Sequence, residues 1–278
     1  MDVTRPSEIA KLMQQYGFHA RKSWGQNFLI SKGAVAKILS AAGLTGVETV
    51  LEIGPGLGVM TEPLLDCSAQ VVAIEIDPLL CKFLAGRFAQ RENFQLVQGD
   101  ALAYDYALLV PEQYIVVANL PYYITSPSLV KLIQCHSPQR AVILVQWEVA
   151  RRLTALPGSP DYGALSILVQ YHCQAELLFK ITPGNFFPPP KVDSAVIRLQ
   201  WRPYPVQPRN EKLMFRLVRI AFSQRRKMLK GLLAAGLGIS KEAAEMALAQ
   251  IGISADIRGE NLSIDEFAAL ADIIGGQV

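Results

Sequence analysis

The sequence predicts an α/β protein: a mostly parallel sheet covered by helices on both faces, followed by a small all-α C-terminal domain. Three observations carry that expectation. Short apolar runs alternate with helical patterns through about Gln146. Glycine, acidic and amide residues stand at the ends of those runs, where a sheet covered on both faces binds its ligands. Beyond Pro203, Pro205 and Pro208 the periodicity is helical, with glycine breaks.

Amphipathic segments near Ser7 to Tyr16 and Ala34 to Ala42 precede the first strand. Val50-Leu51-Glu52-Ile53 then runs into Gly54-Pro55-Gly56-Leu57-Gly58, a glycine turn that lets backbone approach a ligand closely. A dinucleotide fingerprint would set its last glycine one residue further on and bring a pyrophosphate to the helix N-terminus. Here the Glu52 carboxylate is expected beside the turn, where it suits a cationic ligand end. S-adenosylmethionine, with its amino group and sulfonium, has that sign. Val71 to Asp77 is a second strand carrying Glu75, 21 residues after Gly54, an acid able to take both hydroxyls of a ribose. That feature is common to NAD and S-adenosylmethionine proteins. A third strand, Phe94 to Gln98, ends in Gly99-Asp100, an acceptor for the amino group of a cofactor adenine.

Tyr114-Ile115-Val116-Val117-Ala118 ends in Asn119-Leu120-Pro121-Tyr122. An exocyclic amine on a purine is a poor nucleophile because its lone pair is delocalised, so its N–H bonds need acceptors that draw the nitrogen toward tetrahedral geometry. The Asn119 side-chain carbonyl and the Leu120 backbone carbonyl, set by the restricted backbone at Pro121, supply two. Tyr122 supplies a ring for a base swung out of its stack. The competing interpretation is an ordinary proline turn with an incidental aromatic. Downstream, Glu148 to Leu153 is helical in pattern, and Ile167 to Phe179 and Val192 to Trp201 are expected as two further strands.

Composition agrees. With 278 residues and 51% hydrophobic content, the chain has material for one large core and a small second domain. Cys67, Cys81, Cys135 and Cys173 form no C-x-x-C pair, and His19, His136 and His172 are scattered, so neither a metal site nor a disulfide framework is expected. With no leader and no membrane-length apolar run in the sequence, the expectation is a cytoplasmic protein, and the lack of a heptad pattern suggests a monomer.

Charge is uneven. Residues 1–201 carry 16 basic and 16 acidic side chains, whereas residues 202–230 carry nine basic ones and only Glu211 as an acid. Arg202, Arg209, Arg216, Arg219, Arg225, Arg226, Lys227 and Lys230 therefore form a candidate phosphate-binding stripe, which Arg21, Lys22 and Lys32 would extend. An ordinary solvated helix face is the alternative for any one of them.

Taken together these motifs resemble the rRNA adenine N6-dimethyltransferase family, and within it the branch acting on 16S rRNA of the small ribosomal subunit during ribosome biogenesis. Further segments carry the likeness: Arg21 to Leu29, Asn185 to Ser194 with its Phe186-Phe187-Pro188-Pro189-Pro190-Lys191, Ala221 to Lys227, and Glu260-Asn261-Leu262-Ser263. The resemblance implies a class I, Rossmann-like methyltransferase sheet of seven strands with one strand antiparallel. It implies a catalytic domain over residues 1–201, a linker over 202–209, and a helical RNA-binding domain over 210–278. The implied S-adenosylmethionine contacts are Gln26, Asn27, Leu29, Gly54, Gly56, Glu75, Ile76, Asp100, Ala101 and Asn119. Asn119, Leu120, Pro121 and Tyr122 would hold the target adenine, with Phe186, chosen over Phe187 from its distance to Lys191, stacking on the other face. Arg21, Lys22, Lys191, Arg216, Arg225, Arg226 and Lys227 would bind RNA. Ser128 departs from the larger apolar residue often found there in the family, a difference that bears on helix packing. A resistance-type enzyme of large-subunit rRNA, a DNA or protein methyltransferase, and a non-enzymatic assembly or transcription factor are the rival classes.

Overall fold

The computed structural model describes residues 2–17, 25–134, 138–203 and 205–276. In chain order the elements begin with α1 (Pro6–Tyr16), β1 (Phe28–Leu29), α2 (Lys32–Ala42), β2 (Thr49–Ile53), α3 (Thr61–Cys67), β3 (Gln70–Glu75), α4 (Pro78–Arg87) and β4 (Phe94–Gln98). They continue with β5 (Ile115–Asn119), α5 (Thr125–Gln134), β6 (Arg140–Gln146), α6 (Trp147–Leu153), α7 (Ala164–His172), β7 (Cys173–Ile181), β8 (Phe186–Phe187) and β9 (Ser194–Trp201). Four helices follow: α8 (Glu211–Ala221), α9 (Leu229–Leu237), α10 (Lys241–Gln250) and α11 (Ile264–Gly275).

Seven strands form one sheet in the order β4-β3-β2-β5-β6-β9-β7. The pairs β3/β4, β2/β3, β2/β5 and β5/β6 are parallel, and β9 runs antiparallel to β6. The central strands are largely apolar and buried because both faces are covered, as a parallel sheet requires, with Glu52 and Glu75 the buried exceptions. Progress along the sheet reverses at β2: β3 and β4 lie to one side of it and β5 and β6 to the other. Such a reversal opens a crevice beyond the strand C-termini. A separate two-stranded ribbon pairs β1 with β8, placing Phe28 opposite Phe187 and Leu29 opposite Phe186.

One expected strand is corrected. The run from Ile167 to Phe179 divides: residues 164–172 are helix α7, and the strand starts only at Cys173. Ile167 and Val169 are buried, and a short apolar run does not by itself distinguish buried helix from buried strand. A local signal decides for helix. The Ser166 hydroxyl accepts from the Gly163 backbone N–H at 3.0 Å and donates to the Arg152 carbonyl at 2.5 Å, holding the first turn in place.

The chain divides into two compact units, Met1–Ala150 with Ala175–Trp201, and Arg151–Gln174 with Arg202–Val278. Residues 151–174, expected in the first domain, thus group with the C-terminal helices. In this second unit Tyr162, Ile167 and Tyr171 are buried in the same core as Leu217, Leu248 and Phe267. The Glu260-Asn261-Leu262-Ser263 motif serves that packing. The Leu262 carbonyl accepts from the Tyr162 hydroxyl at 3.0 Å, the Glu260 carbonyl accepts from the Gly158 N–H at 2.8 Å, and Ser263 caps α11 in a reciprocal box with Glu266.

Candidate active site

The site lies in the first unit, in the crevice beyond β2 and β5. Leaving β2, the chain turns at Gly54 and Gly56, both in the left-handed region at φ +72° and +59°. A Cβ on Gly54 would lie 3.7 Å from the Asn119 carbonyl oxygen, and one on Gly56 only 3.1 Å from the Phe28 ring. At Gly56 the missing side chain lets the β1 segment close on the turn, whereas at Gly54 the left-handed backbone is what calls for glycine; together they leave a backbone-lined cradle. Its lining draws on residues 25–29, 53–57, 74–76, 99–101 and 119–124, so the described part of the N-terminal segment meets four successive strand ends.

Glu75, at the end of β3, is buried with both carboxylate oxygens engaged: Oε2 accepts from the Gly56 N–H at 3.1 Å and Oε1 from the Asp77 N–H at 3.0 Å. Burial nonetheless pushes its pKa above the ordinary carboxylate range. Asp77 caps α4 by accepting from the Leu79 N–H at 2.9 Å, and the Gln26 side chain donates to its other oxygen at 3.4 Å. Asp100 is exposed at the β4 end, its Oδ1 accepting from the Leu102 N–H at 2.9 Å.

At the tip of β5 the Asn119 Nδ2 donates to the Asn27 carbonyl at 3.2 Å. The Leu120 N–H donates to the Leu144 carbonyl at 3.2 Å, extending the β5/β6 ladder into the loop while its side chain is buried. Tyr122 begins a short 3-10 turn, and its hydroxyl lies 2.9 Å from Ser194 Oγ at the start of β9. The ring is therefore fixed at both ends. Burial raises the Tyr122 pKa, so at neutral pH it acts as a hydrogen-bonding phenol.

The cleft brings together Gln26, Asn27, Leu29, Gly54, Gly56, Glu75, Ile76, Asp100, Ala101, Asn119, Leu120, Pro121 and Tyr122. It does not include Glu52. That carboxylate is fully buried on β2, with Oε2 accepting from the Thr61 hydroxyl at 2.7 Å and Oε1 without a partner. Burial pushes its pKa up to about 8, so the group beside the turn is a neutral acid in the interior, which corrects the expected anionic partner for a cationic ligand. Phe186 also departs from expectation. It is 3% exposed, its ring packed in the hydrophobic core, so it offers no face to a base; Phe187 is the less buried of the pair.

The basic stripe resolves into unequal members. The Arg225 guanidinium donates to the Pro160 and Tyr162 carbonyls at 2.6 and 3.1 Å and pairs with Glu260 at 3.3 Å, which makes it a fastener of the second unit. Lys230 pairs with Glu245 and Asp256. Arg216 donates to the Gly236 carbonyl at 3.0 Å and stays exposed, while Lys191, Arg226 and Lys227 are exposed side chains. Arg21 and Lys22 lie outside the described residues. Among the described residues no group of three or more His, Cys, Asp or Glu side chains is placed to hold a metal ion.

With this geometry in view, comparison with known proteins is specific. Residues 17–275 match the family described as "Ribosomal RNA adenine dimethylase". The chain belongs to the ribosomal RNA adenine dimethylase family. Relatives named "Ribosomal RNA small subunit methyltransferase A" include one from Pelotomaculum thermopropionicum, 44% identical with 99% of each chain covered, and one from Clostridium perfringens, 42% identical with 99% of this chain and 98% of that one covered. Among solved structures, a dimethyladenosine transferase from Plasmodium falciparum is similar with a TM-score of 0.75 and 27% identity, covering 87% of this chain and 95% of that one. The 23S rRNA methyltransferase ErmE gives a TM-score of 0.70 at 27% identity, covering 90% and 100%. The protein is thus a dimethylase-family methyltransferase.

Two aromatic residues of the cleft are missed by the sequence reading. Phe28 lies between two residues that were singled out, and Tyr123 directly follows Tyr122. The signal was present as an uninterrupted pair of aromatics, but sequence alone does not show which way the second ring points.

Proposed function

We propose that the protein uses S-adenosylmethionine to dimethylate N6 of adenosine in 16S rRNA of the small ribosomal subunit, as part of ribosome biogenesis. The observation that carries this reading is the convergence of Gly54, Glu75, Asp100 and Asn119 on one crevice, with Tyr122 at its rim. The residues present fit the donor. The glycine turn leaves a cradle that side chains would fill, Glu75 stands at the β3 end where a ribose is held, and Asp100 is an exposed acceptor beyond β4. When bound, the donor supplies an electrophilic methyl carbon on a sulfonium.

The chain's own residues do the rest by positioning. Asn119 uses its donor side on the Asn27 carbonyl, which leaves Oδ1 as the acceptor for one N–H of the target amine. The Leu120 carbonyl takes the other. Tyr122, fixed through Ser194, stacks on the extruded base, and Phe187, the half-buried ring of the β8 pair, would supply the second aromatic contact. Attack needs no His, Cys or Lys base, because the nitrogen becomes acidic once alkylated and gives its proton to water or a carbonyl. Most of the acceleration comes from alignment and preorganised acceptors. After one transfer the amine keeps an N–H, so Asn119 or Leu120 still holds it for the second. Lys191, Arg216, Arg226 and Lys227 contact phosphates.

The relatives' printed names support the small-subunit target over that of ErmE. On the same reading the protein works as a monomer in the cytoplasm; no described helix is long and apolar enough to cross a membrane. The test is incubation with methyl-labelled donor and, separately, small subunits lacking the modification, free 16S rRNA, large subunits and DNA. Label recovered as N6,N6-dimethyladenosine in 16S rRNA is the expected result. Label in large-subunit rRNA or DNA, or none at all, rejects the proposal.

A further inference from the structure

Tyr122 and Tyr123 are consecutive residues of one 3-10 turn, in which successive side chains diverge by about 120°, so a single planar ligand cannot lie against both rings. Tyr122 is committed through its hydroxyl to Ser194. Tyr123 has no such tie among the described residues, is 49% exposed, and lines the same cleft as Glu75 and Asp100. Burial, with the carboxylates of Asp100 and Glu75, raises its phenol pKa. A Cβ on Gly25 would lie 3.6 Å from Tyr123 Cδ1, so the chain entering the Asn27 contact runs along the ring's edge.

We propose that Tyr123 is the aromatic wall for the purine nucleoside half of the methyl donor, leaving Tyr122 to the acceptor base. An aromatic face beside a ribose-binding acid and an adenine acceptor recognises a nucleoside by stacking, and a half-exposed ring costs the apoprotein little to display. The assignment rests on the donor reading above and adds a residue to it. It also divides the loop: Asn119 stands between two aromatic platforms, one for each nucleoside.

The test is calorimetric titration of the full-length protein with S-adenosylhomocysteine, together with steady-state methyl transfer. Tyr123→Ala should weaken binding about tenfold, the scale of one lost base–aromatic stack, whereas Tyr123→Phe should stay within about twofold of wild type. KM for the donor should rise in the alanine variant with a smaller change in kcat, and KM for the RNA should not follow it. Circular dichroism checks that the half-exposed substitution leaves the fold intact. Unchanged affinity in Tyr123→Ala, equal losses in the alanine and phenylalanine variants, or a shift in KM for RNA instead of donor would each overturn the proposal. A wild-type protein that binds no S-adenosylhomocysteine overturns the donor assignment itself and this inference with it.

Discussion

The Asn119 side chain and the Asn27 backbone are joined across 92 residues of sequence by a hydrogen bond of 3.2 Å. The bond uses a donor of the Asn119 amide and so leaves its Oδ1 as the free acceptor in the proposed reaction. It also ties the backbone at Asn27 to the tip of β5.

Asn119→Ala should therefore lose far more than affinity. Single-turnover methyl transfer is expected to fall by roughly 10²–10³, the usual cost of removing one preorganised polar group from a reaction centre. RNA binding, measured by filter retention, should change less than threefold or so. Near-normal turnover would remove Asn119 from its proposed role.

Glu75→Ala should weaken donor binding at least about tenfold in calorimetry. It should also lower the melting temperature, because the Gly56 and Asp77 N–H groups lose their acceptor and the buried one, at Asp77, is then an orphan costing about 1–3 kcal/mol. Loss of stability without loss of affinity would make Glu75 a brace of the turn only.

The two adjacent phenylalanines should separate cleanly. Phe186→Ala empties a core position and is expected to cost about 3–5 kcal/mol in urea unfolding. Phe187→Ala should cost much less and instead lower kcat. If Phe186→Ala folds normally and abolishes turnover, the assignment to Phe187 is wrong.

A similar division is expected at Arg225-Arg226. Arg225→Ala strips donors from the Pro160 and Tyr162 carbonyls and should lower the unfolding midpoint of the second unit. Arg226→Ala should leave stability within about 0.5 kcal/mol, as exposed substitutions usually do. It should reduce the slope of log affinity for RNA against log salt by about one. An unaltered slope argues against a phosphate contact at Arg226.

Glu52 gives stability a pH dependence of known sign. Its native pKa, about 8, lies above the ordinary 4.5, so the native state keeps a proton that the unfolded chain releases. Its contribution is full below about pH 4.5 and is lost as pH rises to about 8. Chemical unfolding of wild type and Glu52→Gln over that range should show the wild type losing on the order of a few kcal/mol more. Parallel profiles would mean that Glu52 is ionised in the native state.

Much of this was legible in the sequence because the parallel strands announce themselves. Val50 to Ile53, Val71 to Ile74 and Ile115 to Ala118 are apolar runs broken only by Glu52, and each leads into a residue with chemistry to offer. Strand ends fix position along the sheet, so Gly54, Glu75, Asp100 and Asn119 were expected together and are together. Depth was not legible. Glu52 sits one residue before the end of β2 yet is fully buried, Phe186 and Phe187 alternate across a two-residue strand, and Arg225 differs from Arg226 only in which carbonyls lie beneath it. Side-chain direction and tertiary partners decide these, and a single sequence records neither. The α7 helix was misjudged for a related reason: its apolar run is too short to reveal its period.

The second unit is discontinuous, since residues 151–174 complete a core whose other half begins after residue 202. Tyr162 finds its carbonyl 100 residues later, at Leu262. At translation speeds of about 5–20 residues per second, that partner emerges some 5–20 s after the tyrosine does. On a nascent chain the Tyr162 hydroxyl therefore goes without its acceptor long after α8 has arrived to cover α7, so the Leu262 segment is the clasp that completes this core rather than its first cover.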